Sequence, residues 1–285
     1  MLNRNFKDFK FQHTRNKNQI IYISQKVQGD QEVLNLINNF LGEKNSFIFE
    51  SVEKGKIRGR YTIFGKNPDK IWEFNNKNSY LILNKKKKKI KGAPHKVIEK
   101  IIEDFKFKTP VELPPICSLI SGYFSYDSIR YIEKIPNKCK NDLNLPDVRL
   151  LRPKTLVIHD NLKKKIFYII NIFKDEKISN YKKKYLEIES EINDLLIQAS
   201  LKENNFYKNI KTNINVKSNT SKSKFLKMVN KAKKYIKIGD IFQVVLSQRF
   251  EAKLSKKPLE IYKKLRVTNP SPFMYFFNFE DFQII

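Results

Sequence analysis

The sequence predicts an α/β chain built on an antiparallel sheet, and three observations lead there. Short runs rich in β-branched and aromatic residues follow one another between residues 46 and 83, parted by turn residues. On either side lie stretches whose apolar residues recur at helical spacing. Hydrophobic residues make up 40% and aromatic residues 13% of the 285, which is apolar material enough for a core.

The first helix is expected over 31–41, "QEVLNLINNFL", where Val33, Leu34, Ile37, Phe40 and Leu41 share a stripe and Gly42 stops the run. Strands follow at "SFIFES" (46–51), "RYTIFG" (60–65), "KIWEF" (70–74) and "SYLIL" (79–83), with "GKNPDK" and "NNKN" as turns between them. Trp72 reads as a core or sheet-face aromatic. Lys85 to Lys89 read as an exposed turn. A second helix is expected over 96–106, through Val97, Ile98, Ile101, Ile102 and Phe105. The Pro-rich "TPVELPP" leads into "ICSLISGYFSYDSIRYIEKIP", read as a strand that bends at Gly122 and continues as a helix exposing Arg130 and Lys134. "TLVIHD" (155–160) and "IFYIINIF" (166–173) form a hairpin. Tyr181, Tyr185, Ile188, Ile192 and Leu195 mark a long helix over 180–200. The polar stretch 201–221 is a linker, separating a region at 15–200 from one at 222–285.

Beyond the linker, Ser221 or Ser223 caps a helix with the stripe Phe225, Met228, Val229, Ala232 and Ile236. Gly239 supplies its left-handed C-terminal turn. "DIFQVVLSQRF" then alternates as a strand. Phe242, Val244, Leu246 and Phe250 take one face; Ile241, Gln243, Val245, Ser247 and Arg249 take the other. A buried amide needs a partner whatever its function, so Gln243 either bonds a neighbouring loop or lines a site. "KPLEIYKKLR" (257–266) is a helix with Pro258 near its first position. "NPSP" (269–272) is a rigid loop, "FMYFF" (273–277) a strand, "NFED" a turn and "FQII" (282–285) a returning strand. An apolar strand with no cap or charged tail reads as part of a longer protein.

The formal net charge of +28 points first to nucleic acid or anionic membrane. However, the lysines are scattered, Lys outnumbers the Arg preferred for bidentate contacts, and no helix-turn-helix, zinc-finger or RNA-recognition signature is present. Neither nucleic acid nor membrane is therefore an expected partner. Cys117 and Cys139 make neither a disulfide framework nor a zinc site, which leaves a reduced, cytoplasmic compartment as the expectation. No apolar signal core or spanning run is present. His13, His95 and His159 read as ordinary surface or loop histidines.

"AKKYIKIGDIFQVVLSQRF" followed by "PLEIYKKLRVTNPSPFMYFFNFEDFQII" resembles the large subunit of anthranilate synthase (component I), a chorismate-utilising family. "FIFESVEKGKIRGRYTIFGKNPD" resembles that family's "LLES" element and the strand after it, and "SGYFSYDSIRYIEKIP" its "GYFGYD" segment. The resemblance implies an α/β (α+β) fold of large, mostly antiparallel sheets packed against each other with flanking helices, incomplete here. It implies conversion of chorismate and ammonia to anthranilate and pyruvate, with ammonia from a partner glutamine amidotransferase subunit and feedback inhibition by tryptophan. It implies Mg²⁺, with metal ligands and catalytic acid and base beyond Ile285, so no metal site in this chain and an inactive fragment.

By the same resemblance Gln243 matches a position held by a water-activating lysine in relatives that add water. An amide does not titrate near neutral pH but can orient ammonia, so Gln243 is the expected active-site residue. Glu50, Ser51, Pro272, Phe273 and Met274 match the tryptophan site, with Phe273 standing where the family usually has Tyr. Two alternatives remain at this stage. One is aminodeoxychorismate synthase component I, which shares fold and motifs. The other is a non-catalytic tryptophan-binding module.

Overall fold

The computed structural model describes residues 2–27, 29–51, 59–105, 107, 109–138, 141–202 and 214–285. The chain falls into two compact units, Met1–Glu203 with Tyr262–Ile285, and Asn204–Ile261.

The first unit is organised around an antiparallel sheet that counts ten strands among the described residues. Its main path runs β1 (Gln19–Lys26), β8 (Lys165–Ile172), β7 (Val148–Asp160), β3 (Tyr61–Asn75), β2 (Ser46–Glu50), β11 (Met274–Asn278) and β12 (Gln283–Ile284). A side branch, β4 (Asn78–Leu83) and β5 (Lys86–Ile90), extends from β3, and β6 (Ser121–Phe124) pairs with β7. The sheet-rich architecture with flanking helices is the one the sequence predicted. The last two strands, far along the chain, join the sheet beside β2.

Several local expectations change. The two strands expected over 60–65 and 70–74 are one strand of 15 residues. The "GKNPDK" segment forms an irregularity rather than a turn, with Asn67 at φ 52° and a register shift between Pro68 and Lys70. Pro68 faces Pro153 across the ladder, so the two missing N–H donors fall at one point. The Lys85–Lys89 run is likewise not a turn. Asn84 and Lys85 turn the chain at positive φ, and Lys86 onward is β5. A lysine-rich outer strand resists pairing with another chain. Gly122 does not bend the chain but lies inside β6, because a Cβ there would stand 1.9 Å from the Arg149 carbonyl oxygen. The chain beyond it is a 3-10 turn, Tyr126–Tyr131, in which Arg130 folds back onto Asp127 and the Ile135 and Pro136 carbonyls.

The helices cover the sheet as their stripes dictate. Residues on one sheet face, among them Phe47, Leu156, Ile158, Phe167, Ile169 and Phe277, form one core cluster with Leu113 and Cys117. Trp72, Phe74, Val148 and Leu150 form a second with Val97 of α3 (Pro94–Asp104). α1 (Phe6–Thr14), α2 (Gln31–Asn39) and α4 (Tyr181–Ser200) supply a further layer, with Phe9 against Tyr185 and Phe40 against Phe64 at ring separations of 5.8 and 5.7 Å. On α2 the inward residue is Leu36 rather than Leu34, which is 40% exposed. Cys117 is a buried free thiol; Cys139 lies outside the described residues.

Two histidines also depart from expectation. His13 is buried against the Tyr181 hydroxyl at 3.1 Å. His159, on β7, is 1% exposed and neither ring nitrogen has a partner. Burial therefore pulls its pKa below the ordinary histidine range.

In the second unit α5 (Lys222–Lys237) is capped as predicted. The Ser221 hydroxyl accepts from the Lys224 amide at 3.3 Å, and Gly239 takes φ 83°. β9 (Val216–Ser218) pairs with β10 (Phe250–Ala252). The strand expected over 241–250 forms only at its last residue, because among the described residues no neighbouring strand offers a ladder to 241–249. α6 (Pro258–Thr268) starts on Pro258 as expected; its residues from Tyr262 on belong to the first unit.

Candidate functional site

The end of β2 and the start of β11 build the corner where most of the predicted site residues meet. Antiparallel pairing sets Met274 opposite Glu50, Tyr275 opposite Phe49 and Phe276 opposite Ile48. Ser51 and Phe273 are the next residues along, just past the last pair. Thus two segments more than 200 residues apart in the chain are joined by main-chain hydrogen bonds that depend on register alone.

The side chains at this corner divide by chemistry. Met274 is buried, Pro272 half-buried, and Phe273 is 84% exposed at the tip of the turn. Ser271 and Phe273 close that turn locally, with the Phe273 amide donating to Ser271 Oγ at 3.3 Å. Glu50 is 5% exposed, a burial that a carboxylate tolerates only with partners. It has them on α6. Arg266 Nε donates to both carboxylate oxygens at 2.9 Å, and the Tyr262 hydroxyl donates to Oε1. Tyr262 is fully buried, its ring 5.6 Å from that of Phe276. Burial, and then the Glu50 charge beside it, raise the phenol's pKa, so it remains a proton donor. Ser51 differs: its Oγ is buried and has no hydrogen-bond partner. Apolar side chains at Pro272 and Met274, an exposed aromatic at Phe273 and an unpaired hydroxyl at Ser51 are groups that suit a ligand with a flat apolar body and a polar end.

Tyr262 and Arg266 were not predicted. The signal was present, since "PLEIYKKLR" puts them at i and i+4 on one helix face. What the sequence lacked was any mark joining that face to Glu50.

A second charged centre lies on the sheet, at Arg149 of β7. Its guanidinium meets Glu73 and Asp281, the Oδ2 of the latter at 2.9 Å, and Lys87 also reaches Glu73. Phe279 and Phe282 cover it at 5.3 and 4.8 Å. Asp281's hydrogen bond to Arg149 holds its carboxyl below the usual range. This network ties the β11–β12 connection to the middle of the sheet.

Gln243 lies in the second unit on an irregular, exposed segment, beside Phe242 and Val245 at 101% and 82% exposure. The apolar face expected from Phe242, Val244, Leu246 and Phe250 is therefore not buried: Val244 and Phe250 are 43% and 60% exposed. Among the described residues no three His, Cys, Asp or Glu side chains gather so as to hold a metal ion, so the residues in hand do not fit the Mg²⁺ that the resemblance implies. No helix among them is long and apolar enough to cross a membrane.

Residues 44–285 match the model of the chorismate binding enzyme family. The chain is 36% identical to anthranilate synthase component 1 of Acetivibrio thermocellus, over 93% of this chain and 55% of that protein. It is 31% identical to anthranilate synthase component 1 of Cereibacter sphaeroides, over 98% of this chain and 57% of that protein. The crystal structure of anthranilate synthase component I from Streptococcus pneumoniae superposes with a TM-score of 0.66 at 29% identity, over 82% of this chain and 51% of that one. The chain thus spans about half the length of the relatives it matches. With a sheet like theirs and a match running through both units, the chain belongs to the chorismate binding enzyme family.

Proposed function

We propose that this chain is part of a large subunit of anthranilate synthase, which converts chorismate and ammonia into anthranilate and pyruvate and is inhibited by tryptophan. Ammonia comes from glutamine through a partner amidotransferase subunit, and the whole works in the cytoplasm. The observation that carries the reading is the β2–β11 corner. It joins the segment carrying the apolar side chains of Pro272 and Met274 to the one carrying the buried, unpartnered hydroxyl of Ser51. An indole suits the first, and a polar main-chain group of an amino acid suits the second.

In this reading the substrate occupies a different place from the inhibitor, so each weakens the other's binding reciprocally. Gln243 orients ammonia by donating and accepting hydrogen bonds and, having no accessible titration, does not activate water. Mg²⁺, which would grip the substrate carboxylate, takes its ligands from the part of the relatives' length that this chain does not span. The open apolar segment 241–249 is consistent with a wall that other polypeptide covers.

The test is a product assay on the whole subunit with its amidotransferase. Anthranilate fluorescence appearing without an added lyase supports anthranilate synthase; fluorescence only after lyase addition moves the assignment to aminodeoxychorismate synthase. Gln243→Lys is expected to divert chorismate toward a hydroxylated, isochorismate-type product, and an unchanged anthranilate yield without that product removes Gln243 from the site. Ser51→Arg is expected to abolish inhibition by tryptophan, and wild-type inhibition in that variant rejects the corner as the tryptophan site.

A further inference from the structure

We propose that Glu50 is a positioning residue rather than a ligand contact: with Tyr262 and Arg266 it anchors the Asn269–Phe273 turn in a preformed arrangement beside Ser51. The proposal rests on the reading that this corner binds an indole amino acid, and it changes what the conspicuous acid there does.

The geometry is a closed loop. α6 ends at Thr268, the turn follows, and β11 begins at Met274. At one end Arg266, three residues before the turn, is bound to the Glu50 carboxylate. At the other end Met274 is paired with the Glu50 backbone. Both ends of the turn are therefore referred to one residue of β2. Between them Pro270 and Pro272 restrict the backbone, and the Asn269 amide still bonds the Leu265 carbonyl at 2.8 Å. The product of this bracing is Phe273, an aromatic ring left exposed on a stiff support.

The same contacts argue against a direct ligand role. The Glu50 side chain is 2% exposed, one oxygen already takes two donors and the other takes one. A ligand ammonium would have to displace Arg266 and leave a buried guanidinium without its anion. Ser51 beside it has the opposite character, buried but unpaired, and so remains the polar atom with capacity to spare.

The experiment compares the wild-type chain with Glu50→Gln and Tyr262→Phe, both chosen to keep volume. Calorimetry is run with L-tryptophan and with indole-3-propionate, which lacks the ammonium, alongside hydrogen exchange at the 269 to 274 amides. The expected result in both variants is about tenfold faster exchange of the turn and an equal loss of about tenfold in affinity for both ligands, as for one lost charge-assisted hydrogen bond. Loss of tryptophan binding alone in Glu50→Gln, with indole-3-propionate unaffected, overturns the proposal by making Glu50 the ammonium's partner. Unchanged exchange in both variants overturns the anchor. If the wild-type chain binds neither ligand, the indole reading falls on its own, and exchange still decides whether Glu50 holds the turn.

Discussion

Residues 274–278 and residues 241–249 are both apolar stretches of strand-like composition, and they end in opposite conditions. In the first, Phe276 and Phe277 are 2% and 3% exposed between β2 and β12. In the second, Phe242 and Val245 are 101% and 82% exposed and no ladder forms. Pattern alone does not separate them. A strand's burial is a property of its neighbours, and the first unit supplies neighbours while the second, among the described residues, supplies only the short β9–β10 pair. The first unit can consequently enclose charges, at Arg149 and Glu50, that would be of little consequence in water.

That contrast can be broken most severely at Arg149. Arg149→Ala leaves Glu73 buried with Lys87 as its remaining cation, and should destabilise the chain by about 3–5 kcal/mol. Urea denaturation measures it, and a loss below about 1 kcal/mol would mean that water already reaches the network.

A smaller effect sharpens the contrast at His159. Its folded pKa lies below the unfolded value of 6.5, so the unfolded chain binds the proton first. Stability is thus full above the unfolded pKa and falls as pH drops below it, by up to about 1.4 kcal/mol per pH unit, until the folded pKa is reached. Asp30, Glu32 and Asp160 oppose this shift through their charges, and Lys164 reinforces it. His159→Phe should flatten that part of the stability–pH curve, and an unchanged slope would assign it to other groups.

The smallest effect is expected in the second unit. Phe242→Ser and Val245→Ser should alter the chain's stability by no more than about 0.5 kcal/mol while reducing its self-association in light scattering. A cost near 2 kcal/mol would reveal burial of these side chains in solution.

Much of the fold was readable because it depends on local rules. The helices at α2, α4 and α5 follow from a stripe with a 3.6-residue period. The Ser221 cap and the Gly239 turn follow from side-chain reach and backbone sterics. Where reading failed, a distant partner had intervened. "GKNPDK" looks like a turn, but β7 pairs along both halves of β3 and carries the strand through. His159 looks ordinary because nothing nearby in the chain announces that β7 is covered on both faces. At the β2–β11 corner, the two segments that pair carry the motifs on which the family resemblance rests, but nothing in the sequence joined Tyr262 and Arg266 to Glu50.

By itself, then, the sequence determined the period of helices such as α2, α4 and α5, the caps and breaks that bound α5 and α6, and a family likeness carried by contiguous motifs, since each of these rests on residues within a few positions of one another. Only the tertiary structure decided which carboxylate meets which cation and which strand is covered. Glu50 and Arg266 are 216 positions apart, and the bond between them exists because sheet register places β11 beside β2, a long-range choice that no local propensity encodes.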